Sequence, residues 1–283
     1  MAAQTELFKP ALDALAVSGQ PVYEAGPFRD YIAAHNLKAA GKTPEHISLD
    51  HWGRLPAYMK EANVMVLRLG AAGGGVTRFA LVQVADVRDF FLFDDEDMAV
   101  ESAGTFLSPA SLRSLFGFSV VQPSETTLVN LAFASGLMSA ALNLDDVEPL
   151  AAPATGSSVA NFKFRPHSAY ESQLEHLGGQ VQVDGVFVGR RGGKDVLFVL
   201  EAKQTAAPLA KHKLVYPVMG LIDYVPADIE VVPVYLRASR SSGGFEFAVG
   251  ECYLPDLRVG PVALDELKLL NGTKRFRLPL AWR

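Results

Sequence analysis

Two apolar runs in this 283-residue chain close on a tight turn, and the polar residues at their open ends have the types and spacing to do chemistry. The segment from Gln180 to Gln204 reads QVQVDGVFVGRRGGKDVLFVLEAKQ, with Gly192-Gly193 at its centre. A Gly-Gly pair supplies the positive φ angles of a two-residue hairpin loop. Centring the turn between these glycines makes the numbers of paired residues sum to 385, which predicts Asp184 opposite Glu201 and Gln182 opposite Lys203. Directly opposed side chains share a face, with Cβ atoms about 4.5 to 5.5 Å apart. The two-residue strand period then adds Lys203 to the face of Glu201.

Two carboxylates held together repel, by about 4 kcal/mol at ~4 Å in an effective dielectric near ~20, and a divalent cation reverses the sign of that interaction. Hard oxygens with no thiolate or imidazole beside them favour Mg²⁺ or Mn²⁺, with Asp184, Glu201 and the Ala202 carbonyl as ligands. The expected chemistry is metal-assisted hydrolysis of a phosphodiester, in which Lys203 orients the attacking water and stabilises developing charge. The non-catalytic account of the same residues is a salt bridge at the rim of a hairpin.

Asp184 followed by Glu201-Ala202-Lys203 on a hairpin resembles the PD-(D/E)xK nuclease superfamily, the restriction-endonuclease-like fold. Val183 stands where that family has proline. The resemblance implies an α/β class (α+β, mixed sheet), with an αβββαβ core in the C-terminal half. It calls for an acidic helix before the hairpin, which SAYESQLEHL (168–177) is expected to supply, with Glu171 nominated over Glu175 as a further catalytic carboxylate. A helix at 208–224 and a strand at 229–237 match the elements expected after it. Gln204 follows the lysine as in several such nucleases, and His212 with Tyr216 falls where some relatives have Gln-x-x-x-Tyr. The resemblance further implies Mg²⁺ or Mn²⁺ as cofactor, double-stranded DNA as partner, and a homodimer if the target is palindromic. Lys163, Arg165, His167, Lys211 and Lys213, with Arg190, Arg191, Arg237, Arg240 and the run 274–277, are expected to track a phosphate backbone, and Gln204, His212 and Tyr216 are further candidates for nucleic-acid contact.

The rest of the chain sets bounds on these expectations. Residues 1–150 carry 10 Lys and Arg against 18 Asp and Glu, and residues 151–283 carry 16 against 13, so any phosphate contacts must be local clusters. A lone Cys252 can neither form an internal disulfide nor build a thiolate zinc site, and with no export signal read at the N-terminus the expected location is cytoplasmic. Thr126 to Leu144 is uncharged but diluted by Asn, Ser and Thr and unflanked by basic clusters, so a buried helix is expected there and not a membrane span.

EPLAAPATGSS (148–158) reads as a linker, dividing an N-terminal mixed α+β domain (1–150), of recognition or regulatory role, from a catalytic domain (151–283). Before it, the pattern is helical to about Lys60, then alternating at 63–69 and 78–84 around a glycine-rich hairpin loop. Gly41-Lys42-Thr43 lacks the first glycine and the strand of a phosphate-binding loop, and the six histidines show no metal-binding spacing. Arg54, Tyr58 and Lys60 are candidates for target reading. Three functions fit: an endonuclease like type II restriction enzymes, a structure-specific repair or junction nuclease, and a non-catalytic nucleic-acid-binding module on a retired nuclease fold.

Overall fold

A computed structural model describes residues 6–39, 42–72, 76–93, 104–110, 112–146, 150–204, 206–241 and 243–279. The triple glycine at 73–75 and Gly41 lie outside these residues. The helices are α1 (Lys9–Ser18), α2 (Phe28–Ala34), α3 (Thr43–Ile47), α4 (Ala57–Glu61), α5 (Leu112–Val120), α6 (Glu125–Ala134), α7 (Leu137–Ala141) and α8 (His212–Leu221). The strands are β1 (Val22–Pro27), β2 (Val64–Ala72), β3 (Val76–Gln83), β4 (Phe91–Leu92), β5 (Gly104–Thr105), β6 (Ala154–Phe164), β7 (Leu174–Arg191), β8 (Lys194–Lys203), β9 (Leu209–Ala210), β10 (Glu230–Ser241), β11 (Gly244–Tyr253) and β12 (Lys268–Pro279).

The protein is mixed α/β, built on one large mixed sheet in the order β1-β3-β2-β7-β8-β10-β11-β12-β5, with β6 also paired to β7. β6, β7 and β8 form an antiparallel meander, and β10 runs parallel to β8 after the crossover through α8. Parallel strands covered on both faces read as near-continuous apolar runs, which is the pattern of β8 and β10. Val196, Phe198, Leu200 and Ala202 face a cluster formed with α6 and α7, whereas Val199 packs against Val218 of α8.

The uncharged stretch at 126–144 is buried as expected, but as two helices, because Gly136 takes φ 76° between α6 and α7. No helix among the described residues is long and apolar enough to cross a membrane. The segment read as a linker includes the start of β6, from Ala154. Packing crosses it, since α6 and α7 precede it and cover strands that follow it, and the N-terminal strands extend the same sheet. β1 also falls in the region expected to be helical.

β7 organises the sheet. One edge pairs with β6 from Leu174 to Val186; the other meets β2 at Leu177 and β8 from Gly185 onward, so the sheet forks between them. The β2 contact depends on glycine. Gly70 has φ 80°, and a Cβ there would lie 2.2 Å from the Leu177 carbonyl oxygen. Gly70→Ala is therefore expected to destabilise by on the order of 3 kcal/mol, read as a lowered denaturation midpoint; a midpoint unchanged within error would contradict this strand contact.

Candidate active site

The hairpin has the register expected from the Gly-Gly turn. Arg191 pairs with Lys194, and the ladder continues in step to Gly185 and Leu200. It stops one pair short of Asp184 and Glu201. There β7 bulges: Ala154 and Gly156 of β6 pair with Val186 and Val183, so three steps on β7 oppose two on β6. Val183 and Val186 consequently join one cluster, which strict alternation forbids. The β7–β8 ladder is not continued to Asp184 and Glu201 or to Gln182 and Lys203, and on its other edge β7 pairs Gln182 with Ser157 of β6. Instead Asp184 Oδ2 accepts a hydrogen bond from the Ala202 backbone N–H at 2.9 Å.

The three residues still converge, on the ammonium of Lys203. Its Nζ lies 2.8 Å from Glu201 Oε1 and 3.8 Å from Asp184 Oδ2, and it donates to the Ala202 carbonyl at 2.9 Å. A third carboxylate, Glu125 Oε2, stands 3.8 Å from the same atom. Burial alone would make Lys203 easier to deprotonate, but Glu201, Asp184 and Glu125 outweigh it and hold its pKa above the usual lysine value. Glu201 is enclosed, its side chain 4% exposed, and burial pushes its carboxyl up to about 7 against the opposing pull of Lys213 and Lys203. Lys213 Nζ reaches Glu201 Oε1 at 3.8 Å and Asp50 Oδ1 at 3.4 Å.

Glu125 corrects the expectation placed on Glu171. Residues 168–173 form no helix, and β7 already begins at Leu174, with Leu174 and His176 buried and Glu175 exposed in strand alternation. Glu171 is exposed and precedes Asp184 by the whole first part of that strand. The helix that brings a carboxylate to Lys203 is α6. Ser124 caps it by accepting from the Thr127 N–H at 3.1 Å, which places Glu125 at the first helical position, and Gln204 donates to the Pro123 carbonyl just before it. The one sequence signal was this cap, Pro-Ser-Glu at the head of the uncharged stretch. Glu125→Gln is expected to lower metal affinity or turnover about tenfold, as loss of a supporting carboxylate does, while Glu171→Gln changes neither. Equal effects of the two in a side-by-side assay would contradict this placement.

Of the residues nominated for nucleic-acid contact, Gln204 directly follows Lys203, Lys213 reaches Glu201, and His212 and Tyr216 line the adjoining cleft with Lys213. Lys163 is exposed on β6 opposite Glu175. Arg165 pairs with Glu266 at 3.3 Å, and Lys211 donates to the Asp265 carbonyl, so both hold the 261–266 segment. Arg191 is held by Glu251 at 2.8 Å, Arg240 donates to the Ser119 carbonyl, Lys274 donates to the Ala141 carbonyl, and Lys60 sits over the Trp52 ring. Two clefts adjoin the cluster and meet at Gln180 and Gln182. One, of about 320 Å³, lies between Thr126, β6 and Asp184; the other, of about 350 Å³, opens in the fork of the sheet beside Lys213, His212 and Tyr216.

The match to a family described as Domain of unknown function (DUF6997) covers residues 108–252, from just before α5 to Cys252 in β11. The chain belongs to that family. The DUF6997 region contains Glu125, Asp184, Glu201, Lys203 and Lys213, and it spans the segment read as a linker. Among the curated proteins and the solved structures, nothing matches the chain.

Asp184 Oδ2, Glu201 Oε1 and the Ala202 carbonyl are hard oxygen donors of the kind a divalent cation takes, and the point they share is occupied by the Lys203 ammonium. Among the described residues, no group of three His, Cys, Asp or Glu is arranged to hold a metal ion.

Proposed function

We propose that the protein is a divalent-metal-dependent DNA endonuclease hydrolysing phosphodiester bonds, similar to type II restriction enzymes. The observation that carries the reading is the convergence of Glu125, Asp184 and Glu201 on Lys203 at the end of β8. With α7 and the short β9 interposed, the order α6, β6, β7, β8, α8, β10, with three antiparallel strands and a parallel fourth, supports a restriction-endonuclease-like αβββαβ core.

Asp184, Glu201 and the Ala202 carbonyl would hold Mg²⁺ or Mn²⁺. When bound, the ion would polarise a phosphoryl oxygen and acidify a water. The chain's own groups do the rest. Lys203, kept charged by its carboxylates, orients the attacking water and offsets charge developing on the phosphorus oxygens. It is not a free base, because its raised pKa favours the ammonium. Glu125 positions that ammonium, and Lys213 steadies Glu201 from the other side. DNA would lie along the two clefts, and a palindromic target would require a homodimer. A cytoplasmic setting agrees with the buried, unpaired Cys252.

A second reading, a non-catalytic nucleic-acid-binding module, is favoured by one observation. Glu201 is buried and already neutralised by Lys203 and Lys213, as in a structural ion-pair network. A substrate panel separates the readings. Linear duplex, supercoiled plasmid, flaps, four-way junctions and single strands are incubated with Mg²⁺ or Mn²⁺. Discrete fragments from linear duplex are expected. Cutting confined to branched substrates would point to a structure-specific repair nuclease, and binding without cutting to the module.

A further inference from the structure

Beside the cluster, the cleft in the fork of the sheet carries more positive charge than its own carboxylates neutralise. Arg54, Arg68 and Lys213 line it against Glu45 and Asp50, and Asp50 is engaged by Lys213. Arg68 stands on β2, where that strand approaches β7. Its Nε is shielded from solvent and, among the described residues, has no hydrogen-bond partner and its guanidinium no ion pair, although its backbone carbonyl accepts from the Tyr216 hydroxyl at 3.2 Å. A partly buried guanidinium with an unmet donor is costly unless something supplies an anion. His212, only 5% exposed and at the start of α8, also has a buried, unpartnered Nε2 in the same wall. Burial keeps its ring neutral, with a pKa near 3, so Nε2 can donate or accept without a charge of its own.

We infer that this cleft is a phosphate-binding subsite, with Arg68 as its principal charge and Arg54, Lys213 and His212 as supporting groups. A phosphate matches a planar guanidinium fork through paired oxygens. Lys213 ties the subsite to the reacting centre, since the ammonium that lines the cleft lies 3.8 Å from Glu201. Resting on the nuclease reading, the occupant is the polynucleotide phosphate next to the one that faces Lys203. The N-terminal elements thereby gain a role, because Arg54 and Arg68 lie outside the matched family region and complete a groove begun within it.

The test uses the full chain in chelator, so that no cleavage intervenes. Inorganic phosphate is expected to raise the unfolding midpoint of the wild type by about 3 °C over chloride at equal ionic strength, and to leave Arg68→Met unmoved. Binding of a short duplex by Arg68→Met should weaken about tenfold, with a salt slope shallower by about one. Should Arg68→Met fail to fold, the His212 ring resonances of the wild type give the answer, since phosphate must shift them. An unshifted ring, no stabilisation of the wild type, or an equal response in the variant overturns the subsite. Phosphate binding without metal-dependent cutting would sink the nuclease reading and leave the subsite standing.

Discussion

Lys203→Ala is expected to reduce metal-dependent cleavage by about 10²- to 10³-fold, the loss that follows removal of one preorganised charge from a developing anion. The same change leaves Glu125, Asp184 and Glu201 grouped without the ammonium they share. Removing one partner of a buried pair costs about 3 to 5 kcal/mol, so the variant should also melt early. The two effects separate by pH. An isolated Glu201 binds a proton more readily still, so the stability loss should shrink at pH 6 and grow at pH 8, whereas the cleavage defect should persist at both. Full activity in this variant would remove Lys203 from the chemistry.

The second large effect belongs to Glu201. Its carboxyl titrates near 7 in the folded protein against 4.5 as its ordinary value, because burial disfavours the anion. A raised folded pKa means the folded state binds the proton more tightly. That contribution is complete below about pH 4.5 and is lost as pH rises through about 7, an order-of-magnitude change of ~3 kcal/mol. Glu201→Gln does not titrate, so the stability difference between wild type and variant should move in the variant's favour by that amount between pH 5 and pH 8. Metal binding should follow the opposite course, because the ligand must be deprotonated. Mn²⁺ affinity of the wild type should rise about tenfold per pH unit below 7, and the Gln variant should lose it by about 100-fold. Parallel, pH-independent stability curves would show that Glu201 is not held near neutrality.

What was legible in the sequence was local. The Gly192-Gly193 turn and the apolar alternation on either side are interactions between near neighbours, and they placed the strands of the hairpin in their observed register. The ladder ends one pair short of Asp184, where β7 advances three residues against two of β6, a mismatch that no local pattern encodes. The stretch 168–177 carries Glu171 and Glu175 at helical spacing, yet Leu174 and His176 already alternate inward around an outward Glu175. A strand partner in β6 decided between these periods, and that partner is distant in sequence. Glu125 was hidden for the same reason: its helix read as core, and nothing local ties its first residue to a lysine 78 positions later. The N-terminal strands join the sheet through a glycine contact between Gly70 and Leu177 that pattern alone does not encode.

The most direct test of the account is cleavage of supercoiled plasmid by the wild type and Asp184→Asn, each in Mg²⁺, Mn²⁺ and chelator, with unfolding midpoints measured alongside. Asparagine keeps an oxygen for the Ala202 N–H, so the fold should hold while a carboxylate is lost. The account predicts nicking and linearisation by the wild type in either metal, none in chelator, and at least about a hundredfold slower cutting by a normally folded variant. A folded wild type that leaves every plasmid intact in both metals, or an Asp184→Asn variant that cuts at the wild-type rate, would contradict it.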